Sequence, residues 1–401
     1  MAVTERPYNY CFSKNEIRYV FTVSGDPLRS GLYLQVRLKY KRVGDADYII
    51  FYTWEALKPN AAGIVYLPMQ AYIDALVTYV LPGITGIVTD ATQQCVQFYI
   101  ESREVDDVTP DPAWDTTESE NSRIALKGGI ERHKTSGNNV FINYIQSSAK
   151  PFLTWQPSKR FVFYDEPVYL TFLNTTGEDF QLYIELFTTA GAYVWTVINF
   201  AAETKLLYHV NVSPSVLNLA ALTAADIYLY QITVRKISDG AVIANAYTFY
   251  LEKRPTYESY DLVWNNSIGG VDAVKVVGDT PVSYDRTITE TEGGMAVNDW
   301  NADERAADKS FSSILLRRNY KGNIGSLKTR TREQQESFVD LTASKRVFMR
   351  IDNRWVPVNI TNKNIDLGTR KITTAGFLLE WQLSDDNDLY TPSNKMFGLG
   401  T

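Results

Sequence analysis

Residues Tyr260 to Gly278 read YDLVWNNSIGGVDAVKVVG, two apolar runs around a centre rich in turn-forming residues. Side chains of a strand alternate between faces, so Leu262 and Trp264 share one side of the first run. The centre, Asn265 to Gly270, offers two Asn, a Ser and a Gly pair, types that accept positive φ or bond their own backbone. The second run, Val274, Val276 and Val277 around Lys275, is β-branched and favours a strand. The stretch therefore predicts a β-hairpin.

Upstream, residues 151–256 carry seven candidate strands: Arg160–Phe163, Val168–Leu173, Gln181–Thr188, Tyr193–Ile198, Leu206–Val212, Ile227–Lys236 and Tyr247–Glu252. Turn signals at Asn174-Thr-Thr-Gly, Ala190–Gly191 and Ser238-Asp-Gly separate them. That number and spacing suit an immunoglobulin-like β-sandwich. Residues 1–107 alternate in the same manner, with Ile17, Tyr19 and Phe21, then Leu32, Leu34, Val36 and Leu38, then Tyr48 to Trp54. Ile64 to Leu67 runs into Pro68 and helically spaced Met69, Ile73, Leu76 and Val77, and Gln93 to Glu101 closes a first sandwich. The strand-then-hook pattern returns at His209-Val-Asn-Val-Ser-Pro with Val216 and Leu219. Proline suits a first helical turn, where its missing N–H has no partner to lose.

Between the two, residues 108–150 predict an acidic, polar linker, with turns at Gly128–Gly129 and Gly137-Asn-Asn. Its carboxylates lack the regular oxygen-ligand spacing of a calcium loop. Residues 257–401 predict a C-terminal β domain with strands Arg346–Ile351, Trp355–Ile360 and Phe377 to Leu383, and Asp352-Asn-Arg as a turn. Within it, apolar residues thin out over about 279–331, which predicts an extended polar arm that orders against a neighbouring subunit. Arg317, Arg318, Arg330 and Arg332 are its candidate subunit-interface residues. The fold expected is thus all-β: tandem sandwiches followed by a hairpin-rich C-terminal domain.

The 401 residues include 26 Tyr and 8 Trp but only 2 His and 2 Cys. A net charge of −6 argues against general nucleic-acid binding, which draws on surplus Lys and Arg. Neither the opening MAVTERPYNY nor Ile73 to Leu81, interrupted by Asp74 and Thr78, offers a secretion or membrane-spanning run. A soluble chain made in the cytosol is the expectation. Cys11 and Cys95 are too few for a disulfide framework and are expected as buried thiols on neighbouring strands.

No G-x-S-x-G elbow, phosphate loop or H-E-x-x-H helix occurs. His133 and His209 lack both zinc spacing and a triad pattern. No catalytic, metal or cofactor site is expected. The aromatics are expected chiefly to pack cores and subunit interfaces, glycan-stacking platforms being their other use.

Four stretches resemble segments of tail and baseplate structural proteins of phages and prophages of Bacteroidetes-type hosts. They are the hairpin, PYNYCFSKNEIRYVF (Pro7 to Phe21), LKGGI with FLTWQP (Leu126 to Ile130, Phe152 to Pro157), and RWVPVNI with Phe377-Leu-Leu-Glu-Trp. The resemblance implies a non-enzymatic component of a tail, in its baseplate or tail-adaptor region. Its partners would be copies of itself in a ring and other tail proteins, without membrane or direct nucleic-acid contact. It would work in the virion after assembly in the host cytoplasm. A receptor-binding tail protein or glycan-binding adhesin is the alternative, and a glycoside hydrolase or depolymerase a third.

Overall fold

Alternation in the sequence becomes strand in almost every case. The computed structural model describes residues 2–131, 152–191, 193–201, 206–219, 227–252, 259–277, 282–292, 310–324, 332–362 and 377–384, and regular structure among them is nearly all β. The chain divides into two compact units, Met1–Arg254 with Val263–Val274, and Pro255–Leu262 with Lys275–Thr401.

The first sandwich opens with β1 (Ala2–Glu5), β2 (Tyr10–Phe12), β3 (Arg18–Thr22), β4 (Tyr33–Arg42), β5 (Ile49–Leu57) and β6 (Ile64–Pro68). The short helix α1 (Gln70–Leu76), β7 (Val88–Asp90), β8 (Cys95–Val105) and β9 (Arg123–Leu126) follow. One sheet has the order β1-β3-β6 and the facing one β2-β9-β8-β4-β5. Their inner faces bury Tyr19 and Phe21 against Val36, Leu38, Phe98 and Ile100, with Ile73 of α1 closing the end. Each such side chain withdrawn from water contributes about 1.5–3 kcal/mol.

The second sandwich contains all seven expected strands: β10 (Lys159–Phe163), β11 (Tyr169–Leu173), β12 (Phe180–Thr188), β13 (Tyr193–Phe200), β14 (Leu207–Asn211), β15 (Ile227–Lys236) and β16 (Val242–Glu252). The larger sheet has the order β10-β16-β15-β12-β13, with β10 parallel to β16. The smaller sheet is β11-β14-β7, so a strand of the first sandwich region completes it. Leu170, Phe172, Leu182, Ile184, Val210 and Ile232 fill the space between. In both sandwiches the strand-then-hook pattern is real. Helix α1 follows β6, and a helical turn with Leu219 N–H bonded to the Pro214 carbonyl (3.2 Å) follows β14.

Two expectations for the first region change. Residues 108–131, expected as the start of a linker, pack back on the first sandwich. Trp114 lies between the guanidinium groups of Arg37 (3.7 Å) and Arg103 (4.5 Å), Glu118 is buried and pairs with Arg6 (2.8 Å), and β9 joins the larger sheet. Low apolar content signalled exposure, but cation–π contacts and an ion pair hold this segment instead. Residues 132–151, with Gly137-Asn-Asn and His133, lie outside the described residues. Cys11 on β2 and Cys95 on β8 are both free thiols but not on neighbouring strands, because β9 runs between them. Burial pushes the Cys11 thiol up to about 12 and raises Cys95 further, so both remain protonated.

The quoted stretch is the expected hairpin, β17 (Ser259–Asn265) and β18 (Val271–Val277). Its outer part, Val263–Val274, belongs to the first unit. The second unit adds β19 (Val282–Glu292), β20 (Ser310–Ile324), α2 (Arg332–Ser337), α3 (Val339–Ala343), β21 (Val347–Ile351), β22 (Arg354–Ile360) and β23 (Phe377–Leu383). These join one sheet in the order β18-β17-β21-β22-β23-β20-β19. Asp352 and Asn353, with φ of 46° and 61°, make the two-residue turn expected between β21 and β22. The segment expected as an arm ordered by a neighbour pairs with itself, from Val282↔Tyr320 to Glu292↔Ser310. Val282, Thr287, Ile288, Thr289 and Thr291 favour extended backbone, and antiparallel pairing satisfies that backbone without a large apolar core.

Candidate functional site

The turn of the β17–β18 hairpin is buried, and its residue types explain how. Gly269 sits at φ +85°, where a Cβ would overlap the Lys127 carbonyl oxygen, and a Cβ on Gly270 would overlap that of Leu153. Close backbone approach and positive φ thus require the glycines. Gly129 N–H donates to the Ser267 carbonyl (2.7 Å) and the Trp155 indole N–H to the Ser267 hydroxyl (2.6 Å). The Asn266 side-chain amide donates to the Leu153 carbonyl (2.8 Å) and to Asp272 (2.8 Å), while its oxygen accepts from Gly270 N–H (2.7 Å). Asp272 also accepts from the Thr154 hydroxyl. Arg160, 2% exposed, stands over the Phe249 ring at 5.1 Å, and the charges of Asp272 and Glu166 oppose the burial that lowers its pKa. These hydrogen-bond partners are internal groups, and together they hold the turn in place.

His209, which the sequence places on an alternating strand, lies in β14 and is fully buried. Its ring nitrogens meet the Thr171 hydroxyl (2.8 Å) and the Gln94 amide (2.6 Å), and Thr171 also accepts from Val271 N–H (3.1 Å). Burial lowers its pKa to about 4, against the opposing pull of the Val80 carbonyl and Asp90. The unfolded chain, with an ordinary histidine near 6.5, binds the proton first as pH falls. Stability from neutral His209 is therefore complete above about 6.5 and is lost as pH falls toward 4. Between pH 7 and pH 5 it should amount to about 2 kcal/mol. Urea unfolding at both pH values should show His209→Gln losing about 2 kcal/mol less on acidification than wild type does. Equal losses in the two chains would contradict this role.

Two sheet edges present apolar strands without a strand beyond them among the described residues. The outermost strand of one sheet is β5, IIFYTWEAL, in which Ile49, Ile50, Phe51 and Tyr52 are 55%, 51%, 38% and 43% exposed. Tyr52 also clusters with Trp54 and Tyr72, with ring centroids 4.9–5.0 Å apart. At the end of the other large sheet stands β13, YVWTVINF, with Tyr193, Trp195 and Val197 exposed and no charged residue along it. Natural edges are commonly guarded by lysine, proline or a bulge. Strand β5 carries a single charge, Glu55, and two register shifts against β4, at Trp54–Leu57 and Ile50–Tyr52, while β13 carries no charge and pairs with β12 without a shift.

The solvent-side face of the β10–β13 sheet is ordered as well. Strand register places Phe161, Tyr250, Leu229, Phe187 and Tyr193 in one row across all five strands. At about 4.8 Å per strand the row is roughly 19 Å long. The next row holds Lys159, Thr248, Gln231, Glu185 and Trp195. Phe161 and Tyr250 lie 5.1 Å apart at 32°, and Trp195 stacks on Tyr183 at 5.6 Å and 22°. The Tyr193 hydroxyl donates to Glu185 (2.6 Å), an acceptor that raises the phenol pKa above its ordinary range. Composition alone points these rings toward cores. Their partners Leu182, Ile184 and Leu186 do line the core, and the rings occupy the opposite face.

Of the four arginines named from sequence, Arg317 and Arg318 lie on β20, in register with Asp285 and Tyr284. Arg332 opens α2, and Arg330 lies outside the described residues. No group of three or more His, Cys, Asp or Glu suited to a metal ion occurs among the described residues. Among those residues no helix is long and apolar enough to cross a membrane.

No family model matches the chain, and no curated protein matches it. Similar solved structures include trypsin-activated alpha-2-macroglobulin from Escherichia coli, at 8% identity and a TM-score of 0.20 over 80% of this chain. The tetra-tandem repeat in the extending region of a large adhesion protein aligns at 11% identity and 0.20, covering 78% of this chain and 67% of that one. The extracellular region of plexin A4 aligns at 10% and 0.17, over 95% of this chain and 39% of that one. This chain spans 25% of the alpha-2-macroglobulin it matches. Scores this low assign neither a shared fold nor a function.

Proposed function

We propose that this chain is a structural component of a phage or phage-like tail, in the baseplate or tail-adaptor region, and acts by protein–protein assembly. The observation that carries the reading is β5, a nine-residue edge strand with four consecutive exposed apolar residues and little charge to guard it. Such an edge offers backbone donors and acceptors together with apolar side chains to a neighbouring strand. With β13 exposed elsewhere on the chain, two different patches are available, as head-to-tail contact between copies in a ring requires. The resemblance to tail proteins at the hairpin and at Pro7 to Phe21 points to the same use. Other tail proteins would occupy further surfaces, in a virion assembled in the host cytoplasm.

Light scattering on the purified full chain tests the assembly. Self-association should appear at micromolar concentration, and Ile50→Lys with Tyr52→Lys should shift the mass to monomer. Ile50 is exposed, whereas Tyr52 also packs on Trp54 and Tyr72, so the melting temperature should fall by about 2–6 °C with the chain still folded. Wild-type chain that stays monomeric both alone and on particles would refute the reading. Immunogold labelling of particles would locate the chain, and label absent from tails would refute the tail assignment.

A further inference from the structure

We propose that the solvent-side face of the β10–β13 sheet binds a neutral polysaccharide chain, laid across the strands along the row Phe161, Tyr250, Leu229, Phe187 and Tyr193. The row is continuous because register partners on five strands stand side by side, and all five side chains rise from one sheet face, fanned by the ordinary twist of the sheet. A complementary ligand must be extended over roughly 19 Å. It must present apolar C–H faces to the rings and hydroxyls or amides along its edge, where Thr248, Gln231 and Glu185 stand one row away. A chain of pyranose rings has that chemistry. Lys159 and Glu185 offset one another in the polar row, and Arg235 on the same face is taken up over the Tyr183 ring (4.0 Å), so no cluster of cations is presented to a polyanion.

A protein partner fits this face less well. Protein interfaces concentrate their energy in anchors that fill desolvated pockets, whereas these side chains are partly exposed along a row. Tyr193 is held toward Glu185 by its hydroxyl bond, and Trp195 is stacked on Tyr183, so both rings are oriented before any ligand arrives. Preorganisation of that kind lowers the ordering cost of binding. The inference shares β13 with the assembly reading but not β5, which belongs to another sheet, and it uses the sheet face where assembly would use the free edge.

The test is tryptophan fluorescence and calorimetry on the full chain with neutral hexasaccharides of glucose, xylose, mannose and N-acetylglucosamine. At least one should bind with a dissociation constant near 1 mM or tighter. Tyr250→Ala and Tyr193→Ala should each weaken it about tenfold, the scale of one lost stacking contact. Ile50→Lys with Tyr52→Lys should leave it unchanged, which separates this outcome from any failure of the assembly reading. Melting temperatures of the row variants verify folding, and Tyr250→Phe, which keeps the ring, should bind like wild type. No binding by any of the four at about 10 mM would overturn the proposal. Binding that survives both alanine variants would overturn it as well. Row variants that abolish self-association in a chain that binds no saccharide would also overturn it, and would give the face to copy–copy contact.

Discussion

Gly269→Val should lower the melting temperature of the first unit by roughly 10 °C, at about 2–4 °C per kcal/mol in a domain of this size. Two effects combine at this position. The backbone stands at φ +85°, which a β-branched residue adopts only under strain, and a Cβ would meet the Lys127 carbonyl oxygen. That carbonyl belongs to backbone fixed on its own side, since Lys127 N–H donates to the Gln94 carbonyl (2.8 Å). Neither partner yields cheaply, so about 4 kcal/mol is expected. Gly240 separates the two effects. Its φ is +72° and nothing lies within 4 Å of its Cβ position, so Gly240→Val reports strain alone, about 1–2 kcal/mol. Thermal unfolding followed by circular dichroism compares them. Equal shifts for the two variants would mean that the turn is not wedged against Lys127.

Asp272→Ala should cost about 3 kcal/mol in urea unfolding, more than its hydrogen bonds alone account for. Asp272 is 1% exposed and accepts from Thr154 and Asn266, whose removal costs about 1–2 kcal/mol. The larger share comes from Arg160, a buried guanidinium faced by the charges of Asp272 and Glu166, which would lose the first of them. Removing one partner of a buried pair is more harmful than removing both. Asp272→Ala combined with Arg160→Met should therefore recover at least about 1 kcal/mol of the single loss. Strict additivity of the two substitutions would show that Arg160 and Asp272 do not compensate one another.

The large strands were legible because each supplies a run of alternation long enough to read locally. All seven strands of the second sandwich, and the Asp352–Asn353 turn, lie where propensity and turn chemistry put them. What escaped depends on distant partners. Val88–Asp90 is too short to show a period, and it is a strand because β14 lies beside it. Arg123–Leu126 is a strand because β8 and β2 flank it, while the polar residues before it signalled a linker. Polarity makes the β19–β20 hairpin look like an arm, but the β-branched content of Val282 to Glu292 favours strand and β20 supplies its partner. The row across the large sheet could not be read at all. In Gln-Leu-Tyr-Ile-Glu-Leu-Phe both alternating sets contain apolar residues, and only the position of the smaller sheet decides which set is core.

The seat of Asn266 also has a consequence for synthesis. Its bond to the Leu153 carbonyl joins residues 113 positions apart in the chain. At 5–20 residues per second, a ribosome makes the hairpin turn roughly ten seconds after Leu153. Until then Leu126 and Leu153, joined by Leu173 and Leu207 as those are made, lack Ile268, which completes their cluster. Both sandwiches can therefore exist in the cell as nascent domains with an open apolar seam. That seam stays open to other apolar surfaces until residues 263–274 arrive to seal it.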